Sequence, residues 1–286
     1  MLGTAACGSG TGMTSNPPPP PPPPSGTFDH VVLVMEENHS YTDVIGNSSM
    51  PYLNSLAQQY GVAAQYYANA HPSMPNYLML TTGQIESYSD SFSGVISDDN
   101  AYRELTAAGK TWKAYAESLP SVGYVGPDVY PYFRRHNPVT YMSDVQNSAP
   151  AAANIVPFTQ FATDLANDSL AQFSYIVPNA LDDAHDGTLQ AADIWLQSNI
   201  APLLANSAFQ KSGLLIVAFD ESETSDTAHG GGHIPVVIVS SSSKKGYVSQ
   251  SFYQHPSTLR LILKASGVTV FPGASATAPD MAEFFQ

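Results

Sequence analysis

The 286-residue chain has a single cysteine, Cys7, so no intrachain disulfide can brace it. Charge is also sparse: Asp, Glu, Lys and Arg make up 12% of residues, about half the usual share for a soluble domain. Basic residues are the scarcest, 10 Lys and Arg against 24 Asp and Glu, for a formal net charge of -14. No long basic run occurs, which argues against nucleic-acid binding through a basic face, because phosphate contacts need clustered Lys and Arg. An anionic substrate would then need a local positive centre, either a metal ion or a placed Arg. No segment is long and apolar enough to span a membrane.

Residues 1–26 read as a tail. Leu2-Gly3-Thr4-Ala5-Ala6-Cys7-Gly8-Ser9 resembles the end of a bacterial lipoprotein signal, without its basic region and most of its apolar region. The expectation is an exported protein, periplasmic, cell-surface or secreted, with a membrane tether through lipidated Cys7. The plain alternative is a free thiol in a tail. Pro17 to Pro24 is an unbroken proline run, a stiff polyproline II spacer that cannot join a packed core.

Residues 27–286 alternate between short apolar runs and amphipathic stretches. Strands are expected at 29–35, 63–68, 111–116, 173–177, 214–219 and 234–239. Helices are expected at 50–60, 101–108, 158–167, 188–206 and 256–265, several opening near Pro and closing at Gly. The alternation predicts one α/β domain, a mostly parallel central sheet with helices on both faces. Residues 86–100 and 119–153 read as long loops, rich in Tyr, Ser, Asp, Gly and Pro, of the kind that line sites.

Ligands of open α/β sheets bind where the strands end in their carboxyl termini. The first strand runs into Glu36-Glu37-Asn38, and the strand at 214–219 into Asp220-Glu221. Buried carboxylates gathered together call for a cation, and oxygen ligands suit Mg, Ca, Mn or Zn without choosing among them. His71-Pro72-Ser73-Met74-Pro75-Asn76 places Ser73 at the start of a helix, where backbone N–H groups attract phosphate. There Ser73 is a nucleophile and Asn76 a donor to a phosphoryl oxygen; the plain alternative is an N-cap. Asn179 to Gly187 carries Asp182, Asp183, His185 and Asp186, with His185 the acid–base candidate and Asp186 equally a helix cap. Arg135, in the chain's one Arg pair, is a candidate anion clamp beside His136. His255 opens the last helix, where a depressed pKa is expected, and His233 ends a His-Gly-Gly-Gly-His stretch that reads as a mobile loop.

In order along the chain, these motifs resemble the bacterial phosphoesterase family of acid phosphatases and phosphatidylcholine-type phospholipases C, a branch of the alkaline phosphatase superfamily. The resemblance covers residues 27 to about 265 and makes residues 27–286 the catalytic domain. It implies one tightly bound divalent metal held by Glu37, Asn38, Ser73, Asp220 and Glu221, with Ser73 forming a phosphoseryl intermediate. It places His71, Arg135, His136, His185 and His255 around the phosphate. A second metal, on Asp182 or Asp183 with His185 and His255, matches only loosely. The implied activity is hydrolysis of small phosphate monoesters. The alternatives are a phosphodiesterase or phospholipase C at the same site, and a non-catalytic surface lipoprotein that binds a ligand in the same cleft.

Overall fold

The structure, a computed structural model, describes Met1, Gly3 and residues 27–286, so Cys7 and the proline run lie outside the described residues. Eight strands form one sheet: β1 His30–Glu36, β2 Gly61–Ala63, β3 Trp112–Ala116, β4 Ile155–Pro157, β5 Phe173–Val177, β6 Gly213–Phe219, β7 Val236–Ser240 and β8 Tyr247–Ser249. Their order across the sheet is β4-β3-β5-β1-β6-β7-β2-β8. Only β7 runs against its neighbours, β6 and β2. All other pairings are parallel. The sheet is therefore mixed but mostly parallel, and every strand except β7 points its carboxyl end at the same edge.

β1 and β6 are the buried centre. Their residues Val31 to Met35 and Leu214 to Phe219 are almost wholly inaccessible, as expected of continuous apolar runs covered on both faces. The principal helices are α1 Pro51–Gln59, α2 Ser73–Thr82, α3 Ala101–Ala107, α4 Thr159–Ala166, α5 Leu189–Ala205, α6 Ser207–Ser212 and α7 His255–Ala265. They pack as two groups, one on each face. α2, α3 and α7 touch one another, while α5 touches α1 and α6, and Phe158 beside α4 meets Trp195 of α5.

Three elements depart from expectation. The second strand is only Gly61–Ala63, continued by isolated bridges at Tyr66 and Tyr67. The edge strands β4 and β8 are three residues each, too short to show a period. The 119–153 stretch holds short helical turns at Arg134–His136, Pro138–Tyr141, Ser143–Gln146 and Ala149–Ala152. No helix among the described residues is long and apolar enough to cross a membrane.

Candidate active site

In the β1–β6 pairing Glu36 lies opposite Phe219, so the next residues, Glu37 and Asp220, leave adjacent strands side by side. Asn38 takes a left-handed backbone at φ 58°, a conformation that Asn tolerates better than most residues. The turn brings its N–H to Asp220 Oδ1 at 3.1 Å. Strand alternation sends Glu36 to the opposite face from Glu37. There its buried carboxyl has no hydrogen-bond partner, and burial holds its pKa well above the ordinary range.

Ser73 is the first residue of α2, with Pro72 at the cap position and no side-chain cap bond. Its hydroxyl is thus free of capping and faces the acids, with Oγ 3.3 Å from Glu37 Oε2 and 3.2 Å from Glu221 Oε1. Asp90, from the 86–100 loop, accepts the Met74 N–H at 3.0 Å, so a carboxylate already answers part of the positive helix end. Glu37, Asp220, Glu221 and Ser73 are all buried. Burial raises all three carboxyl pKa values, and the charge of Asp220 raises those of Glu37 and Glu221 further. Tyr77, one turn along α2, donates its O–H to Glu37 Oε1 in a short bond and opposes that rise.

The histidines divide into two kinds. His136 Nδ1 bonds Asp183 Oδ2 at 3.1 Å, while its Nε2 stands 3.2 Å from Glu37 Oε1 without a hydrogen-bond partner. Burial, then Arg135 and His185, push its pKa well down. A neutral ring that donates from Nδ1 therefore opposes a bare lone pair to a carboxylate oxygen, an arrangement relieved by a cation between them. His185 Nε2 accepts from Arg135 at 3.2 Å, and its Nδ1 bonds Asp186 at 2.8 Å. Buried Glu37 and His136 with half-buried His185 form a group able to hold a metal ion.

The other histidines brace the site from behind. His71 Nδ1 meets Glu221 Oε2 at 2.6 Å and its Nε2 meets the Asp226 carbonyl at 2.9 Å. His255 Nε2 donates to the Asp220 carbonyl at 2.6 Å. The expected depression of its pKa is present, to about 4, but burial causes it rather than the helix end. His233 bonds the Ala64 carbonyl and stacks on Tyr41.

Asn76 lies beside Ser73 but aims its amide away from it. It accepts from the N–H groups of Asn69 and Ala70 and donates to the Ala70 carbonyl. It holds the turn that presents Ser73. The glycines before His233 serve the same segment: a Cβ on Gly230 or Gly231 would fall 2.1 Å from the Asn69 carbonyl oxygen or 2.4 Å from that of Ala70. They allow close approach to the turn, which replaces the mobile-loop expectation. The arginines part company as well. Arg134 is tied to Thr140 and lies over Tyr141. Arg135 lies over Phe133, is paired with Asp128, and reaches His185. Thr188, not Asp186, caps α5. Asp182 is half-buried and lies beside Glu117.

The site thus gathers Glu37, Asn38, Ser73, Asp220 and Glu221, with His71, Arg135, His136 and His185 around them. Tyr77, Asp90 and Asp183 join it without having been singled out as central from sequence. Of these, Asp183 carried a signal, its place after a strand beside a histidine.

Comparison with known proteins fits this geometry. The model of the Phosphoesterase family matches residues 47–269. A phosphatidylinositol-3-phosphatase of Mycobacterium tuberculosis is 35% identical over 240 residues, covering 82% of this chain and 77% of that protein. A probable acid phosphatase of Kluyveromyces lactis is 33% identical over 241 residues, covering 81% of this chain and 56% of the relative, so the chain spans about half of that protein's length. A solved alkaline phosphatase superfamily protein from Vibrio parahaemolyticus superposes with a TM-score of 0.62 at 13% identity, covering 91% of this chain and 72% of the other, a likeness of fold. A serine held among buried acids at the carboxyl edge of such a sheet has its explanation in that kinship: the chain belongs to the Phosphoesterase family and is a hydrolase of phosphoric ester bonds.

Proposed function

We propose that the chain hydrolyses phosphate monoesters through a phosphoseryl intermediate on Ser73, with one divalent metal required. The observation that carries the reading is the Ser73 hydroxyl set between Glu37 and Glu221 at 3.2–3.3 Å, with no capping duty. The donor set fits a metal. Three buried carboxyls converge, Asp220 Oδ2 is buried without a partner, and no Lys or Arg pairs with any of them among the described residues. Glu37, Asn38, Asp220 and Glu221 would hold the ion, with Ser73 beside it. Such an ion supplies positive charge that lowers the serine pKa and polarises a phosphoryl oxygen.

The protein's own groups account for the remaining steps. Ser73 Oγ attacks phosphorus, and its proton has carboxylate oxygens of Glu37 and Glu221 within reach. Arg135, already on His185 and Asp128, is the clamp for the phosphoryl oxygens. His185, oriented by Asp186, stands beside the clamp to assist the leaving oxygen, and water then cleaves the phosphoserine. His71 and His255 position Glu221 and Asp220 rather than touching substrate. A cleft of about 260 Å³ between Asp90, Phe92, Asp128 and Arg134 flanks the clamp and offers room for a small leaving group.

The phosphoinositide phosphatase among the relatives supports a phosphorylated polyol as substrate class. Export and a tether through Cys7 belong to the same proposal. The test is turnover of p-nitrophenyl phosphate, p-nitrophenyl phosphorylcholine and inositol 3-phosphate, with and without chelator, by wild type and Ser73→Ala. Monoester turnover lost with chelator and lost at least about 10³-fold in Ser73→Ala is the expected result. Preference for the choline diester would move the reading to a phospholipase C. Retained activity in Ser73→Ala would remove the nucleophile.

A further inference from the structure

A second group of metal-capable side chains lies outside the Ser73 cluster. His39, Asp43 and Glu223 each bring a ligand atom within 4.8 Å of the others. His39 follows the Glu37-Asn38 turn after β1, and Glu223 follows Asp220-Glu221 after β6. Asp43 stands in the one-turn helix Tyr41–Val44. The group therefore spans the two loops that carry the central acids, with Glu223 exposed to solvent.

Its state of hydrogen bonding points to a ligand. No hydrogen bond or ion pair joins the three side chains, and neither carboxylate is neutralised by a Lys or Arg. The His39 ring lies close to the Ala184 backbone and edge-on to Phe219, with ring centroids 6.5 Å apart. Its Nδ1 is buried and has no partner. A buried imidazole nitrogen without a partner, with two carboxylates close by, is a donor set that a cation would satisfy.

We propose that His39, Asp43 and Glu223 form an accessory site for a divalent transition ion of the zinc type, distinct from the central metal. One imidazole and two carboxylates suit Zn²⁺ better than Mg²⁺ or Ca²⁺, which take oxygen shells. Ligand atoms about a tetrahedral Zn²⁺ stand roughly 3.4 Å apart, so modest rotation of Asp43 and the exposed Glu223 closes the shell, with water completing it. The bound ion would staple the β1 loop to the β6 loop and fix the spacing of Glu37 and Asp220.

The test is Zn²⁺ binding by calorimetry and equilibrium dialysis on the full chain, with Co²⁺ absorption as a second readout. Wild type is compared with Asp43→Asn/Glu223→Gln, with His39→Asn, and with the central variant Glu37→Gln/Asp220→Asn. The double variant is expected to bind one Zn²⁺ fewer than wild type and to lose the corresponding Co²⁺ bands. His39→Asn is expected to weaken that equivalent about 10- to 100-fold. The central variant is expected to keep it, so a failure of the central-metal reading leaves this outcome intact. Equal stoichiometry and equal Co²⁺ spectra in wild type and the double variant would overturn the accessory site.

Discussion

Replacing Tyr77 with Phe removes one hydroxyl from the packed interior and leaves the ring stacked on His136, whose centroid is 5.3 Å away at 15°. The lost O–H is the one that Glu37 Oε1 accepts, and it opposes the rise that burial imposes on the Glu37 pKa. A hydrogen bond to a charged group contributes about 1.5–3 kcal/mol, which is roughly 10- to 100-fold in an equilibrium constant. The sign follows from the protonation states. Without Tyr77 the Glu37 pKa rises further, less carboxylate exists at a given pH, and metal must displace a more tightly held proton. Metal affinity should fall 10- to 100-fold, the acid limb of the kcat/KM profile should move to higher pH, and saturating metal should restore most of kcat. Calorimetric titration with Mn²⁺ at pH 5, 6 and 7, beside pH–rate profiles, reads all three. Unchanged affinity with an unchanged profile would refute the assignment of Glu37 to the metal.

Burial depresses the His255 pKa from 6.5 to about 4, so its contribution to stability is present above pH 6.5 and is lost as pH falls towards 4. Urea unfolding over that window should show wild type losing about 3 kcal/mol relative to His255→Gln; parallel curves would contradict a buried neutral imidazole. Asn76→Ala leaves the Asn69 and Ala70 N–H groups and the Ala70 carbonyl without their partner. Thermal unfolding should register a loss of about 3 kcal/mol, a Tm lower by about 6 °C or more. Arg135→Gln should lower kcat/KM about 10²-fold with little change in Tm, whereas Arg134→Gln should lower Tm first. Gly231→Ala forces a Cβ to within 2.4 Å of the Ala70 carbonyl oxygen, so both stability and activity should drop in parallel assays.

Much of the fold could be read from local pattern. Phe173 to Val177, an apolar run stopped by Pro178, is the strand β5 to the residue, and the helix expected at 101–108 forms over Ala101–Ala107. Edge strands β4 and β8 escaped because three residues carry no period and owe their pairing to distant neighbours. The acids Glu37, Asp220 and Glu221 could be located because strand ends converge in a parallel sheet. Tyr77 could not, because in an apolar helix it reads as a core aromatic, and only the rotation of α2 against β1 turns its hydroxyl to Glu37. Asn76 shows the opposite difficulty: its place in the motif suggested a phosphate donor, but its amide faces the backbone of its own turn.

The strand order has a consequence for how the chain is made. β1 is central, yet its partners β5 and β6 come late, with His30 paired to Gly213. At a synthesis rate of about 5–20 residues per second, the opening strand waits roughly 10–40 s for that neighbour to appear. Its apolar run, Val31 to Met35, has both backbone edges bare until β5 emerges and one edge bare until β6 does, a template for pairing with another nascent chain. Glu37, just past its end, cannot meet Asp220 any sooner. Ribosome-bound intermediates should therefore be inactive and dependent on chaperones until β6 has emerged.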